Sequence, residues 1–177
     1  KGPWRVRRHD GVADYLATCM RSAGATATRE FPFPELVASD GREAILDVWS
    51  IGSAWMGDKV IDVTVRHPSA SDTIVAASRT DGACAATAEC DKQKRYPPSG
   101  GVVVTAFAVE TFGRVGQEAE GLLAEGAAAT SRRNLSRGHP AGRPLRRWRA
   151  TIAAMCAKSV VRAVRSAARG VASGESA

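Results

Sequence analysis

Two aspartates stand inside segments that otherwise have the composition of buried β-strands. Asp47 lies in the segment AILDVW and Asp62 in the segment VIDVTV. An isolated carboxylate costs several kcal/mol to bury, so each acid needs a cationic partner or a metal ion. Carboxylate oxygens suit Mg²⁺ or Mn²⁺, which activate water and stabilise charge in phosphodiester cleavage. The alternative is that one acid lies on a solvated edge strand or pairs with Arg42 or Arg66.

The two acids belong to a predicted β-hairpin. Residues 43–51 and 59–67 are rich in β-branched and aromatic residues and are joined through a glycine-containing turn. Because side chains alternate along a strand, Asp62 and Thr64 share one face of the second strand. We therefore expect each strand to place one acid among apolar neighbours.

The surrounding sequence predicts an α/β fold with a mixed central sheet. Apolar residues recur at helical spacing from residue 9 to Gly24, and prolines in FPFP at 31–34 exclude a helix there. The predicted order is helix, strand, strand, strand, helix, strand and then further helices. The predicted elements are a helix at 9–24, strands at 25–31, 43–51 and 59–67, a helix at 83–96, a strand at 102–109, and helices at 115–129 and 144–169.

Charge divides the chain into a nearly neutral body and a basic tail. Residues 1–130 carry 14 Lys or Arg and 17 Asp or Glu, whereas residues 131–177 carry 11 and one. A basic tail suits nucleic acid, because phosphate contacts release counterions and give affinity without reading sequence. The alternative is a solvated helix face. We predict an α/β domain over 4–129, a linker over 130–143, a basic amphipathic helix over 144–169 and a disordered tail over 170–177.

Several common classes of protein lack support. No run of 18 apolar residues predicts a membrane span. The sequence contains no GxxxxGK[ST], GxGxxG, GxSxG or HExxH motif, so there is no motif for an NTPase, a dinucleotide-binding protein, a serine hydrolase or a zinc protease. Nuclease chemistry is the one mechanism for which residues can be named.

The order of the predicted elements resembles the core of the PD-(D/E)XK, or restriction-endonuclease-like, nuclease superfamily (αβββαβ). More narrowly, four segments are similar to the C-terminal region of retroelement reverse-transcriptase polyproteins. The resemblance covers about residues 4–125. These segments are RRHD at 7–10, IDVTVRHP at 61–68, AECDKQKRY at 88–96 and AVETFGRVG at 108–116.

The resemblance implies a set of catalytic residues. Asp47 and Asp62 would be the metal-binding acids, and the position of the usual lysine, two residues after Asp62, is occupied by Thr64. In some members of the superfamily this lysine comes from the following helix, where Lys92 is the candidate. Thr64 would then hydrogen-bond a phosphate or a metal-bound water. Further candidates for this site are Glu30, His67 and Glu89.

The resemblance implies a Mg²⁺- or Mn²⁺-dependent DNA endonuclease from a retroelement polyprotein, acting inside the cell and in the nucleus. We expect upstream polyprotein domains beyond this fragment and no membrane partner. Thr64 favours an alternative, a nuclease-fold module that has lost catalysis and binds nucleic acid or braces a neighbouring polymerase domain. Basic residues of the tail would hold the nucleic-acid backbone, namely Arg132, Arg133, Arg146, Arg147, Lys158, Arg162 and Arg165.

Overall fold

The computed structural model describes residues 3–174 of the 177-residue chain. Helices and strands follow one another in the order that the sequence predicts, with one short additional helix before the helix at 83–95. The elements are α1 (Pro3–Ser22), β1 (Thr26–Val37), β2 (Glu43–Ile51), β3 (Lys59–Arg66), α2 (Ile74–Ala77), α3 (Ala83–Arg95), β4 (Val104–Glu110), α4 (Gln117–Ser136) and α5 (Pro144–Gly174).

The four strands form one mixed sheet in the order β1-β2-β3-β4. β1 and β2 are antiparallel, and so are β2 and β3, which confirms the predicted hairpin. β3 and β4 are parallel, with seven residue pairs from Val60↔Val104 to Arg66↔Glu110. A parallel pair needs a crossover connection, which α2 and α3 supply. The α/β class and the mixed sheet are therefore confirmed.

Helices cover both faces of the sheet. α1, α4 and α5 share one hydrophobic core with residues of all four strands, including Phe107 and Val109 of β4. On the other face, Ala85 and Ala88 of α3 pack against Ala108. Because successive side chains of β4 point to opposite faces, Phe107 and Ala108 belong to different layers. The sheet is thus sandwiched between α3 and the three long helices.

β1 is longer than predicted, because the prolines do not end it. The strand runs from Thr26 to Val37 through Pro32 and Pro34, and its pairing with β2 is irregular between Phe33 and Val37. Proline removes a backbone donor, but an edge strand leaves every second N–H unpaired. Pro32 stands opposite Ile45, and Pro34 lies in the irregular stretch where the ladder is already interrupted, so the edge position tolerates both prolines.

The helices after β4 also differ from the predicted boundaries. α4 continues to Ser136, so the predicted linker 130–143 shrinks to 137–143. Ala127, Ala129 and Thr130 are buried in the packed body, which explains why this helix continues. α5 runs to Gly174, so residues 170–174 of the predicted disordered tail are helical, and 175–177 lie outside the described residues.

Candidate active site

The hairpin opens at the two acids. β2 and β3 pair at Ser50↔Lys59, Trp49↔Val60 and Val48↔Ile61, and the next register position belongs to Asp47 and Asp62. Instead of a ladder bond between the strands, the Asp47 carboxylate accepts the backbone N–H of Val63, with Oδ2 2.7 Å from the nitrogen. The two carboxylates therefore meet at the point where the strands separate.

Lys92 reaches Asp62 from α3, on the helix that connects β3 to β4. Its Nζ lies 2.5 Å from Asp62 Oδ2, and the Asp62 side chain is only 7% exposed. Burial raises the pKa of Asp62 to about 6; the Lys92 ammonium opposes this rise and Asp47 adds to it. The ion pair thus offsets only part of the cost of burying this carboxylate.

His9 of α1 supplies the cation beside Asp47. Its Nε2 lies 3.0 Å from the carbonyl oxygen of Val63 and 3.2 Å from Asp47 Oδ2, while Nδ1 lies 3.2 Å from Asp10 Oδ1. Both ring nitrogens face oxygen acceptors, so both carry protons and the ring is an imidazolium. The hydrogen bond to Asp47 is the main cause that raises the pKa of His9 to about 9, against the opposing effect of burial.

The environment of Asp47 favours its charged form. Burial alone would raise its pKa, but hydrogen bonds from His9, with Asp62 and from Val63 hold the pKa of Asp47 below its ordinary value. The two acids therefore differ: Asp47 is stabilised as a carboxylate, whereas Asp62 holds its proton more readily. Pairing with Arg66, which the sequence left open, does not occur, since that guanidinium bonds to Asp72 and Asp91.

A cleft of about 510 Å³ opens over this group. Its walls include His9, Thr64 and Lys92, so the threonine at the position of the usual lysine faces the same space as the lysine from α3. Asp47 and Asp62 do not line the cleft themselves. His9 and Lys92, which bond to these two acids, do line it. The cleft is strongly basic, because Arg5, Arg8, Arg66 and Arg95 also line it, with Asp91 as its acidic member.

The three additional candidates do not join this group in the same way. Glu30 is exposed at the β1 position opposite Asp47, with a φ of 50°. His67 is exposed in the loop after β3, where its ring contacts Phe112 with centroids 5.5 Å apart. Glu89 is buried, and its Oε1 accepts the backbone N–H groups of Glu118 and Ala119 at 2.9 and 3.4 Å. Glu89 therefore caps α4.

The predicted nucleic-acid-binding residues fall into two groups. Arg133 donates to the carbonyl oxygen of Ser22, at the C-terminal end of α1, and Arg147 is exposed on α5. Arg132, on α4, and Arg146, on α5, are also exposed. In contrast, Lys158, Arg162 and Arg165 line hollows beside the N-terminal turns of α1, next to the cleft.

Sequence reasoning missed His9 as a member of this site. Val12 and Leu16 form part of the buried stripe of α1, and His9 lies three residues before Val12 and seven before Leu16. It therefore continues the face of α1 that meets the sheet. A histidine aligned with a buried stripe is the signal that points to it.

The residues present fit a hard divalent cation with few protein ligands. Among residues 3–174 no group of three or more His, Cys, Asp and Glu side chains is arranged to hold a metal ion. Mg²⁺, however, is commonly held by one or two carboxylates, with water and substrate phosphate completing its shell. Asp47 and Asp62 supply such a pair. His9 and Lys92 pair with these carboxylates and would have to move away from them for the ion to bind.

No protein-family model matches the chain, and no curated protein matches it. Across the described residues, no helix combines the length and apolar character that crossing a membrane requires. The geometry of the described residues defines an α/β protein with a buried acid pair beneath a basic cleft.

Proposed function

We propose that this chain is a metal-dependent endonuclease domain that cleaves phosphodiester bonds of DNA, similar to the endonuclease part of retroelement polyproteins. One observation carries the proposal. Asp47 and Asp62 meet where β2 and β3 separate, and Lys92 from the following helix bonds to Asp62. An acid pair with a nearby ammonium is suited to holding a metal ion and a phosphate together.

The fold supports the resemblance to the PD-(D/E)XK superfamily. α1, three antiparallel strands, α3 and a parallel fourth strand follow in the order that the resemblance implies. The main departure from the motif is Thr64, which stands on β3 where the superfamily usually has lysine. Lys92 compensates for it, because this side chain brings a positive charge to the site from α3. Retroelement endonucleases act on chromosomal DNA, so the proposal includes nuclear localisation. Because the resemblance is to part of a polyprotein, the proposal also includes upstream domains.

Each side chain of the site has a role in this proposal. A Mg²⁺ or Mn²⁺ ion held by Asp47 and Asp62 would supply Lewis acidity and lower the pKa of bound water. The Lys92 ammonium would donate a hydrogen bond to the negative charge that develops on the phosphate. His9 keeps Asp47 ionised and fixed between β2 and β3. Thr64, on the cleft wall, offers its hydroxyl as a donor to a phosphate oxygen.

A second candidate is a catalytically inactive nuclease-fold module that binds nucleic acid or braces a neighbouring polymerase domain. Two observations favour it: the acids already pair with His9 and Lys92, and neither acid lines the cleft. In this alternative, the four groups stabilise the fold as neutralised pairs and the basic cleft binds a phosphate backbone without cleaving it.

Metal titration and DNA nicking together separate the two candidates. We would measure Mg²⁺ and Mn²⁺ binding by calorimetry, and nicking of supercoiled plasmid, for the wild type and the Asp47→Asn/Asp62→Asn double variant. Asp81→Asn is the matched control, because its side chain is 88% exposed and pairs with Arg114. The endonuclease requires metal-dependent nicking that the double variant loses and the control keeps.

Two results would count against the endonuclease. Nicking that survives in the double variant would come from other residues or from a contaminant. A folded wild type that binds DNA but neither binds metal in its presence nor nicks it would support the inactive module. Circular dichroism of each variant verifies that the acid substitutions leave the fold intact.

A further inference from the structure

Arg8 of α1 is a half-buried arginine. Its Nε is fully buried and has no hydrogen-bond partner in the part of the chain that the structure describes. Burial lowers the pKa of Arg8, and the neighbouring Arg5 contributes in the same direction. A half-buried guanidinium with an unpartnered nitrogen costs free energy, and an anion bound beside this side chain would offset part of that cost.

Arg8 stands between two basic hollows. It lines the cleft over the acid pair, and it also lines a groove between α1 and α5, where its neighbours include Trp4, Lys158 and Arg162. A further hollow continues along α5 and is lined by Trp4, Arg162 and Arg165. The surface that joins the α1–α5 groove to the acid pair therefore passes over Arg8.

Each of the two helices carries its basic residues on the face that borders this surface. Arg5 and Arg8 are three residues apart on α1, and Lys158, Arg162 and Arg165 follow at steps of four and three on α5. Residues at these spacings lie on one helix face. Close packing of the helices at Gly11, where an added Cβ would lie 3.2 Å from Met155, brings the two faces together.

We propose that Arg8 binds a backbone phosphate of a DNA duplex that lies along the α1–α5 groove and enters the cleft at Asp47 and Asp62. Arg5 and the basic residues of α5 contact the flanking phosphates. A repeating phosphodiester fits because one strand supplies anions at several successive positions, while the guanidinium of Arg8 offers a forked set of donors to one of them. This inference rests on the proposed function only in taking nucleic acid as the ligand.

The test measures DNA affinity without catalysis. We would titrate the full chain into a fluorescein-labelled DNA duplex in EDTA at several salt concentrations, and follow fluorescence anisotropy. Arg8→Gln should weaken binding and reduce the slope of log K against log salt by about 1, and Arg162→Gln/Arg165→Gln by about 2, because each removes that number of phosphate contacts. Arg8→Lys should restore the slope but only part of the affinity, since it restores the charge without the forked donors.

A matched control separates these contacts from net charge. Arg79→Gln/Arg137→Gln removes two exposed arginines, in the loop after α2 and at the end of α4, and should leave affinity and slope unchanged. An equal loss in this control, or wild-type affinity in a folded Arg8→Gln variant, would overturn the proposal. EDTA removes metal, so this binding test is independent of catalysis. If binding depends on Arg8 but the chain does not nick DNA when metal is present, the endonuclease is contradicted and this inference still stands.

Discussion

At Lys92, one side chain serves both a buried acid and an open cleft. Its ammonium contacts Asp62, yet the residue also lines the cleft where a phosphate would lie. Lys94, two residues further along α3, is exposed. The two lysines therefore share a helix and a charge but differ in what they contact.

We expect Lys92→Ala to reduce metal-dependent nicking by about 100- to 1,000-fold, the usual effect of removing one donor to a developing anion. Lys94→Ala should nick DNA at the wild-type rate. The measurement is the initial rate of plasmid nicking at saturating Mg²⁺. If both lysine variants lost the same activity, general attraction to DNA would explain it better than a specific role for Lys92.

The pKa of His9 makes stability depend on pH in a defined direction. Its folded-state pKa of about 9 exceeds the ordinary 6.5, so its stabilising effect is complete below about pH 6.5 and disappears as the pH rises through 9. In EDTA, the wild-type melting temperature should fall between those values more steeply than that of His9→Gln. Thermal melts by circular dichroism measure both; parallel curves would contradict an imidazolium bound to Asp47.

Residue chemistry made part of this site predictable. The proximity of Asp47 and Asp62 follows from strand alternation and from the pairing of two strands that are adjacent in the sequence, joined by the loop 52–58. The contact of Lys92 follows less directly, because it depends on where α3 crosses the sheet. His9 comes from 38 positions before Asp47, and only the packing of α1 across the strands brings its ring to Val63 and Asp47.

At the scale of elements, α3 connects three parts of the molecule. Lys92 points to the acid pair, Ala85 and Ala88 pack on β4, and Glu89 caps α4. The neighbouring turn leaves little room, since a Cβ at Gly116 would lie 2.1 Å from Glu89 Oε1. Glu89 and Lys92 are three residues apart and so start from the same face of α3, yet one side chain contacts the start of α4 and the other contacts Asp62.

We expect Glu89→Ala to lower the free energy of unfolding by about 1–3 kcal/mol, because it leaves backbone donors at the start of α4 unsatisfied. Metal affinity should persist in the folded variant. Urea unfolding and calorimetry give these two quantities, with Glu35→Ala, an exposed glutamate of β1, as the control. Loss of metal binding at unchanged stability would instead make Glu89 a ligand.

Element boundaries were less predictable than element types. The end of α1 follows from Gly24, whose φ of 92° is readily adopted by glycine. The continuation of β1 through Pro32 depends on the strand being at the edge of the sheet. α4 continues past its predicted end because Ala129 and Thr130 are covered by the packed body, although Leu135 in its last turn is 61% exposed. Neither the edge position nor the cover is a local property of the sequence.

At the scale of the whole molecule, the basic tail is also part of the core. Trp148, Ile152 and Cys156 of α5 are at most 1% exposed and pack with α1 and α4. The charge division of the sequence therefore does not correspond to a separable appendage. Its basic residues occupy the outer face of a helix whose inner face completes the body.

Truncation before α5 should consequently unfold the protein rather than only weaken DNA binding. Trp148→Ala alone should cost about 3–5 kcal/mol, as large-to-small substitutions of buried aromatic residues do. Denaturant unfolding measures this loss, and Arg149→Ala, an exposed neighbour that pairs with Glu120, provides the comparison. A truncated chain with the wild-type melting temperature would contradict the packing described for α5.

The opening of the hairpin has a spectroscopic consequence. The Val63 amide hydrogen-bonds to a side-chain carboxylate rather than to a strand carbonyl, so its proton chemical shift depends on the charge state and occupancy of Asp47. A ¹H–¹⁵N spectrum of the labelled chain would therefore carry one backbone signal that titrates with metal and with pH. That resonance reports on the acid pair directly, before any DNA is added.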